Sequence, residues 1–179
     1  MNEGLIPRRY AKALYKYAQE KGCAKEVYAD TQVLEKAFAS HPSLSKSLGN
    51  PALSSAEKVQ LLMSAVGENA DKGILRFFHL VTLNRRETYL RAMALSYQDI
   101  YRQENGISRV TIVSAAKLDE AIVNRIKKLL MSRSEKKLEF VYETDSSLIG
   151  GFILRVESMQ LDASIQNELK QMRVKLLNK

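Results

Sequence analysis

Apolar residues recur every three or four positions through the first 105 residues, which is the spacing of helices that bury one face. The first stripe consists of Ile6, Tyr10, Ala13, Leu14, Tyr17 and Ala18. Gly22 follows it and predicts the helix end, because glycine readily takes the left-handed conformation found there. A second stripe runs from Val27 to Phe38 and stops before His41-Pro42, since the residue preceding proline disfavours the helix.

Four further helices are predicted in this half. A short one spans residues 43–48, and Ser54 with Glu57 forms the capping box that opens the next. The segment from Ile74 to Leu83 is apolar on nearly all sides, which predicts a central helix. A long helix follows from Leu90 and ends at Asn105-Gly106.

After Gly106 the period changes from 3.6 to 2, which is typical of strands. Strands are predicted at 110–113 and 138–142, with an amphipathic helix over 118–130 between them. We therefore predict an α+β protein with two domains. Residues 1–105 form an all-α six-helix bundle, and residues 106–179 form a small α/β domain.

The segment Leu148–Ser164 is the most informative in the chain. Its alternating positions predict a strand, a turn and a second strand, and Ile165, Leu169, Met172 and Leu176 then recur at helical spacing. We expect this terminal helix to cover the sheet. The pair Gly150-Gly151 indicates a bulge or a close backbone approach, because no helix follows it directly as in a phosphate-binding loop. Asp162 and Ser164 are placed to cap the helix.

Composition and charge describe a globular protein of mildly basic surface. The net charge is +8, and each half of the chain carries +4 of it. Residues 1–105 have 15 basic and 11 acidic side chains, and residues 106–179 have 13 basic and 9 acidic ones. No apolar run approaches the about 18 residues that span a membrane. The N-terminus lacks the pattern of a signal peptide, and the absence of a transit peptide favours a bacterial chain.

No arrangement of residues predicts catalysis, a metal or a cofactor. The chain has two distant histidines and the single Cys23, whereas a zinc site needs three or four ligands at recognisable spacing. Phosphate-binding and nucleophile motifs are absent from the sequence.

A basic cluster leaves two functional classes open. It comprises Arg125, Lys127, Lys128, Arg133, Lys136 and Lys137. It suits an acidic protein partner, or the phosphates of RNA in a ribosome-associated protein. Few aromatic residues accompany it, which disfavours nucleic acid. An enzyme with an unrecognised site is a third alternative.

Three motifs in order resemble the delta subunit of the F-type ATP synthase, whose mitochondrial relative is the oligomycin sensitivity-conferring protein. They are Arg9-Tyr10-Ala11 with Ala13-Leu14, the run Phe77–Leu83 with Asn84-Arg85-Arg86, and Leu148–Ser164. Where the family often has Gly-Asp after the arginine strand, this chain has Glu157-Ser158-Met159, and we expect a wider turn there.

The resemblance implies a non-catalytic stator subunit without nucleotide or cofactor, present in one copy per complex. It implies that the helical domain binds the N-terminal helix of an alpha subunit in the catalytic head, and that the second domain binds the C-terminal end of the b subunits in the peripheral stalk. Ion-driven rotation is then coupled to ATP synthesis. The expected location is peripheral, on the cytoplasmic face of the bacterial inner membrane, without insertion into it and without nucleic acid as a partner.

Two sets of interface residues follow from this resemblance and from the helix patterns. The groove for the alpha-subunit helix is expected between the first and fifth helices, at Tyr10, Ala13, Leu14, Tyr17, Phe77, Leu80 and Val81. The stalk-binding region is expected at Arg125, Lys127, Lys128, Lys136, Lys137, Gly150, Gly151, Ile165 and Leu169.

Overall fold

The computed structural model describes residues 4–67, 70–116, 118–132, 134–157 and 159–177. The chain divides into two compact units, one up to Tyr101 and one from Arg102 onward. The predicted α+β class is confirmed. The described residues form eight α-helices, six of them up to Glu104 and two after it, with a 3-10 turn and a four-stranded mixed sheet. The helical half is therefore not a plain six-helix bundle, because a 3-10 turn is inserted before its last helix.

The first unit is helical throughout, and its last helix continues into the second unit. Its elements are α1 (Leu5–Lys21), α2 (Ala24–Ser40), α3 (Pro42–Leu48), α4 (Ser55–Val66), α5 (Lys72–Leu83), a 3-10 turn (Glu87–Tyr89) and α6 (Leu90–Glu104).

Two predicted helix signals in this unit are confirmed in atomic detail. Gly22 ends α1 in the left-handed conformation, with φ of 72°. At the start of α4 the Ser54 amide donates to Glu57 Oε2 at 2.8 Å, and the Glu57 amide donates to Ser54 Oγ at 3.3 Å. The Ser54 hydroxyl also donates to Glu57 Oε2 at 2.7 Å, and this bond, together with that from the Ser54 amide, lowers the pKa of the Glu57 carboxyl.

The apolar sequence of α5 predicted a helix enclosed on all sides, but the structure leaves part of α5 exposed. Ile74, Phe78 and Val81 are fully buried, but Leu80 is 48% exposed and Leu83 is 79% exposed. One strip of α5 therefore remains open to a partner.

A buried ion pair crosses the core of the first unit. Lys58 Nζ of α4 lies 2.9 Å from Glu87 Oε1 of the 3-10 turn, and both side chains are about nine-tenths buried. Large apolar side chains such as Phe78 and Tyr97 fill the same core. The pair must stay intact, because an isolated buried charge costs several kcal/mol.

The second unit contains β1 (Ile107–Ser114), α7 (Glu120–Met131), β2 (Lys137–Thr144), β3 (Gly151–Val156), β4 (Met159–Ser164) and α8 (Ile165–Leu177). The strand order is β2-β1-β3-β4. β1 pairs with β2 in parallel, which the intervening α7 permits, and the other pairs are antiparallel.

The boundary between the units precedes Gly106 by a few residues. Arg102 Nη1, in the last turn of α6, lies 4.0 Å from Glu139 Oε2 of β2. This ion pair ties the end of α6 to the sheet. Independent folding of two domains that meet at Gly106 stays a prediction.

The expected widening of the turn between β3 and β4 is wrong. Val156 pairs with Met159, so two residues connect the strands, and Ser158 lies outside the described residues. Glu157 takes the left-handed conformation with φ of 52°, which costs a non-glycine residue about 1–2 kcal/mol. Its Oε1 accepts from Ser108 Oγ at 2.7 Å and Lys136 Nζ at 2.9 Å, and these contacts hold the tight turn.

The terminal helix does not cover the sheet, contrary to expectation. Val110, Ile112 and Leu154 form the buried core of this unit, with residues of α7 such as Ile126 and Leu130 packed against them. Described residues of α8 contribute nothing to that core. The apolar residues of α8 are instead exposed, which leaves them available to another chain.

We predict that Glu87→Ala lowers the free energy of unfolding of the first unit by about 3–5 kcal/mol, because Lys58 is left buried without its partner. Urea unfolding monitored by circular dichroism measures this. The control is Glu35→Ala, which breaks the exposed Arg91–Glu35 pair at 3.9 Å and should cost about 1 kcal/mol or less. Equal losses in the two variants would contradict a structural role for the buried pair.

Candidate functional site

A groove of about 190 Å³ runs between α1 and α5, and we call it the α1/α5 groove. Each helix contributes residues at positions i, i+3, i+4 and i+7, the spacing of one helical face. The lining residues are Tyr10, Ala13, Leu14, Tyr17, Gly73, Arg76, Phe77 and Leu80. A groove with this lining is the size of a few apolar side chains.

The structure brings together six of the seven residues predicted for this groove. Val81 is the exception, because it lies in the core with no exposed surface. Leu14 and Phe77 are almost completely buried and form the floor, and the Tyr10 ring meets Phe77 edge-on at 6.4 Å between centroids. Ala13 and Leu80 are exposed at the rim.

Two arginines that were not predicted as groove residues hold the tyrosines of the groove in place. Arg76 Nη1 donates to Tyr17 Oη at 3.0 Å, and Arg86 Nη1 donates to Tyr10 Oη at 3.0 Å. The Arg86 guanidinium also lies 5.3 Å from the centre of the Tyr10 ring. The α1/α5 groove is therefore preformed, which lowers the conformational entropy that its own side chains lose when a partner binds. For Arg76, the i+3 spacing along α5 was the available signal.

Gly73 allows Tyr17 of α1 to pack closely against α5 at one end of the groove. A Cβ atom there would lie 3.1 Å from Tyr17 Cε1 and 2.8 Å from Asp71 Oδ1. Asp71 caps α5 by accepting from the Gly73 amide at 2.6 Å. The Asp71 amide in turn donates to Asp30 Oδ2 at 2.8 Å, and burial raises the pKa of the Asp30 carboxyl.

In the second unit the predicted basic cluster is divided. Lys127 is half-buried, with its Nζ 5.5 Å from the Phe140 ring centre and 5.7 Å from that of Tyr142. Lys136 is paired with Glu157. Arg125, Lys128 and Lys137 are exposed, and Arg133 lies outside the described residues. Only part of the cluster is thus displayed as free charge in the described structure.

Gly150 and Gly151 serve the backbone, as the close-approach interpretation predicted. Gly151 has φ of 78°, and a Cβ atom there would lie 2.3 Å from the carbonyl oxygen of Ala163. At Gly150 a Cβ atom would meet Ile165 Cδ1 at 2.8 Å, the mobile end of a side chain. Asp162 and Ser164 form the expected cap: the Asn167 amide donates to Ser164 Oγ, and the Ser164 amide donates to Asp162 Oδ1.

An apolar stripe on α8 is the second candidate surface, and we call it the α8 stripe. Ile165, Leu169, Met172 and Leu176 follow one another at intervals of four, three and four residues, the spacing of coiled-coil helices. They are 45%, 55%, 58% and 77% exposed. Contiguous exposed apolar stripes of this kind are typical of interaction surfaces.

Among the described residues, no group of three or more His, Cys, Asp or Glu side chains is placed to hold a metal ion. In that same part of the chain, every helix is too short or too polar to cross a membrane.

Comparison with known proteins gives one consistent result. The sequence model of the family described as "ATP synthase delta (OSCP) subunit" matches residues 6–176. The ATP synthase subunit delta of Phocaeicola vulgatus is 37% identical over 98% of this chain and 96% of its own length. That of Parabacteroides distasonis is 37% identical over 99% and 98%.

A solved structure shares the fold. A chain of the Toxoplasma gondii mitochondrial ATP synthase hexamer superimposes with a TM-score of 0.72 over 99% of this chain and 98% of that one, at 24% sequence identity.

We predict that Gly151→Ala destabilises the second unit by about 2 kcal/mol or more, since it combines positive φ with a backbone clash. Gly150→Ala is the matched control and should cost less, because Ile165 can turn away. Thermal unfolding of the full chain measures both. A smaller effect at Gly151 than at Gly150 would refute the close approach of β3 to β4.

Proposed function

Because this chain belongs to the family of ATP synthase delta (OSCP) subunits, we propose that its two surfaces link the catalytic head of the enzyme to its peripheral stalk. The chain is a structural, non-catalytic subunit of that stalk, the stator of the F-type ATP synthase. Its part in the complex is to resist rotation of the head, so that ion flow through the rotor drives ATP synthesis. The comparisons give the RNA-binding alternative no support.

The α1/α5 groove carries the first half of the proposal: it binds the N-terminal helix of an alpha subunit. A shallow apolar groove between two parallel or antiparallel helices suits an amphipathic helix, which inserts residues spaced at i, i+3, i+4 and i+7. Leu14 and Phe77 offer an apolar floor, and the two fixed tyrosines form the walls. This preformed groove is the single observation that supports the proposal most directly.

The α8 stripe carries the second half: it binds the C-terminal end of the b subunits. Its spacing matches the stripe of a helix that packs in a coiled coil, and the b subunits are expected to offer helices. Gly150 lies against Ile165 at the start of this stripe, and Gly151 allows the close approach of β3 to β4. The exposed basic residues Arg125, Lys128 and Lys137 lie on α7 and β2, and β2 is at the sheet edge opposite to β4. We propose them as a separate, charged part of the stalk-binding region. Lys127 and Lys136 belong to it as structural residues, because their charges already have partners.

Each stator contact is made by a separate unit, so that the head and the stalk are bound at the same time. A tether of this kind gains from both contacts, because binding at one raises the effective concentration at the other. We further propose that one copy serves each complex, peripherally, on the cytoplasmic face of a bacterial membrane.

We predict that Ala13→Trp blocks the α1/α5 groove and weakens binding of the cognate alpha-subunit N-terminal peptide by at least about tenfold. Ala13 is exposed, so the bulky ring fills the groove without overpacking the core. Isothermal titration calorimetry measures the affinity. Ala29→Trp, at an exposed alanine of α2, is the control. Unchanged affinity in a folded Ala13→Trp protein would exclude this groove as the binding site.

We predict that Leu169→Ser with Met172→Ser weakens binding to the soluble part of the b subunits by at least about tenfold, since two buried anchors of an interface are lost. The control is Val174→Ser, which is 49% exposed on the opposite side of α8. Surface plasmon resonance gives both rates. Equal losses in the two variants, or none in either, would contradict binding through the α8 stripe.

A further inference from the structure

Positive charge in the first unit is concentrated on the two helices that form the α1/α5 groove. Together α1 and α5 carry seven basic side chains and one acidic one, Glu20. The rest of residues 1–105 carries eight basic and ten acidic side chains. The modest net charge of this half therefore conceals a basic groove on an otherwise slightly acidic unit.

Four of these cations border the groove. Arg9 and Lys16 lie four residues before and three residues after Ala13, so they flank it on the surface of α1. On α5, Arg76 lines the groove three residues after Gly73, and Lys72 immediately precedes Gly73. All four cations are exposed. No salt bridge to a described residue neutralises any of them.

Arg76 occupies a special position among them. One of its N–H groups is used by Tyr17 Oη at 3.0 Å, and a guanidinium has five such donors in a planar fork. The hydrogen bond to Tyr17 leaves other N–H donors of this exposed guanidinium for a partner and restrains the side chain beside the groove. Such a group is suited to a two-point hydrogen bond with a carboxylate.

We propose that the α1/α5 groove selects an acidic amphipathic helix, with carboxylates beside its apolar stripe that pair with Arg76 and with the Arg9–Lys16 edge. This inference rests on the proposed function for the source of the helix, the N-terminal segment of the alpha subunit. The groove floor gives affinity for any apolar stripe of suitable size. The basic border adds discrimination, because it attracts acidic helices and repels basic ones.

The charges act chiefly on association. They lie at the rim in contact with water, where the Debye length is about 8 Å at physiological salt. Charges in such positions accelerate the encounter and make its rate depend on salt, whereas the apolar floor sets the lifetime of the complex.

The test uses the full chain and a synthetic peptide of the N-terminal segment of the cognate alpha subunit, with association and dissociation rates measured at low and high salt. The triple variant Arg9→Gln, Lys16→Gln and Arg76→Gln should associate about tenfold more slowly at low salt, and the difference should vanish at high salt. The control triple variant replaces Lys25, Lys46 and Arg91 with glutamine. These exposed cations lie on α2, α3 and α6, and their loss should leave the rates unchanged.

Two further arms separate charge from groove shape. Tyr17→Phe removes the hydroxyl that holds Arg76 but keeps the charge, so it should change the association rate less than twofold. A peptide whose Asp and Glu residues are replaced by Asn and Gln should bind the wild-type chain with the slow association of the triple variant.

The outcomes distinguish this inference from the function beneath it. The native peptide could bind the triple variant as fast as the wild-type chain, and the peptide without carboxylates could bind the wild-type chain as fast as the native peptide. In that case selection by charge is wrong, while the groove remains the binding site. If the native peptide does not bind the wild-type chain under any salt condition, the proposed function of the groove falls, and the selection of an acidic helix falls with it.

Discussion

The packing of α1 beside α5 is the contact on which the first binding surface depends. Ala11, Ala18, Ile74 and Phe78 are fully buried, so the two helices are held by the core of the first unit. The exposed Ala13 is too small to close the space between the helices, and Gly73 lets Tyr17 pack closely against α5. A groove remains because the core fixes the helices while the small side chain of Ala13 leaves it unfilled. The arginines bonded to Tyr10 and Tyr17 then keep its walls in place.

The second unit depends on a different constraint, because its hydrophobic core is small. Three buried residues, Val110, Ile112 and Leu154, are surrounded by partly exposed ones. Polar contacts help to hold this unit together. Glu157 stabilises a strained turn through Ser108 and Lys136, and Arg102 lies beside Glu139. The apolar surface of α8 remains outside this core. A domain built in this way has surface to bury when a partner helix arrives, which is consistent with a subunit that works within a larger assembly.

Sequence patterns predicted much of this structure because they record local rules. Gly22, Ser54 with Glu57, and Gly151 each imposed the backbone feature that their chemistry requires. The family resemblance named the two helices, and the period of their apolar residues then selected seven positions, six of which line the groove. Val81 was misplaced because periodicity alone cannot say which edge of an apolar helix turns inward. The turn at Glu157 and the exposure of α8 depend on contacts between distant residues, and no local pattern encodes them. Arg76 and Arg86 were missed because their tyrosine partners lie 59 and 76 residues away in the chain.

The central claim is that one chain holds two partners at once through separate surfaces. The most direct measurement mixes the full chain with the alpha–beta catalytic head and the soluble part of the b subunits, and determines the mass of the complex by analytical ultracentrifugation. The wild-type chain should yield a ternary complex. The Ala13→Trp variant should retain only the b subunits, and the Leu169→Ser, Met172→Ser variant should retain only the head. Loss of both partners from either variant, or a ternary complex that survives both, would contradict a link made by the α1/α5 groove and the α8 stripe.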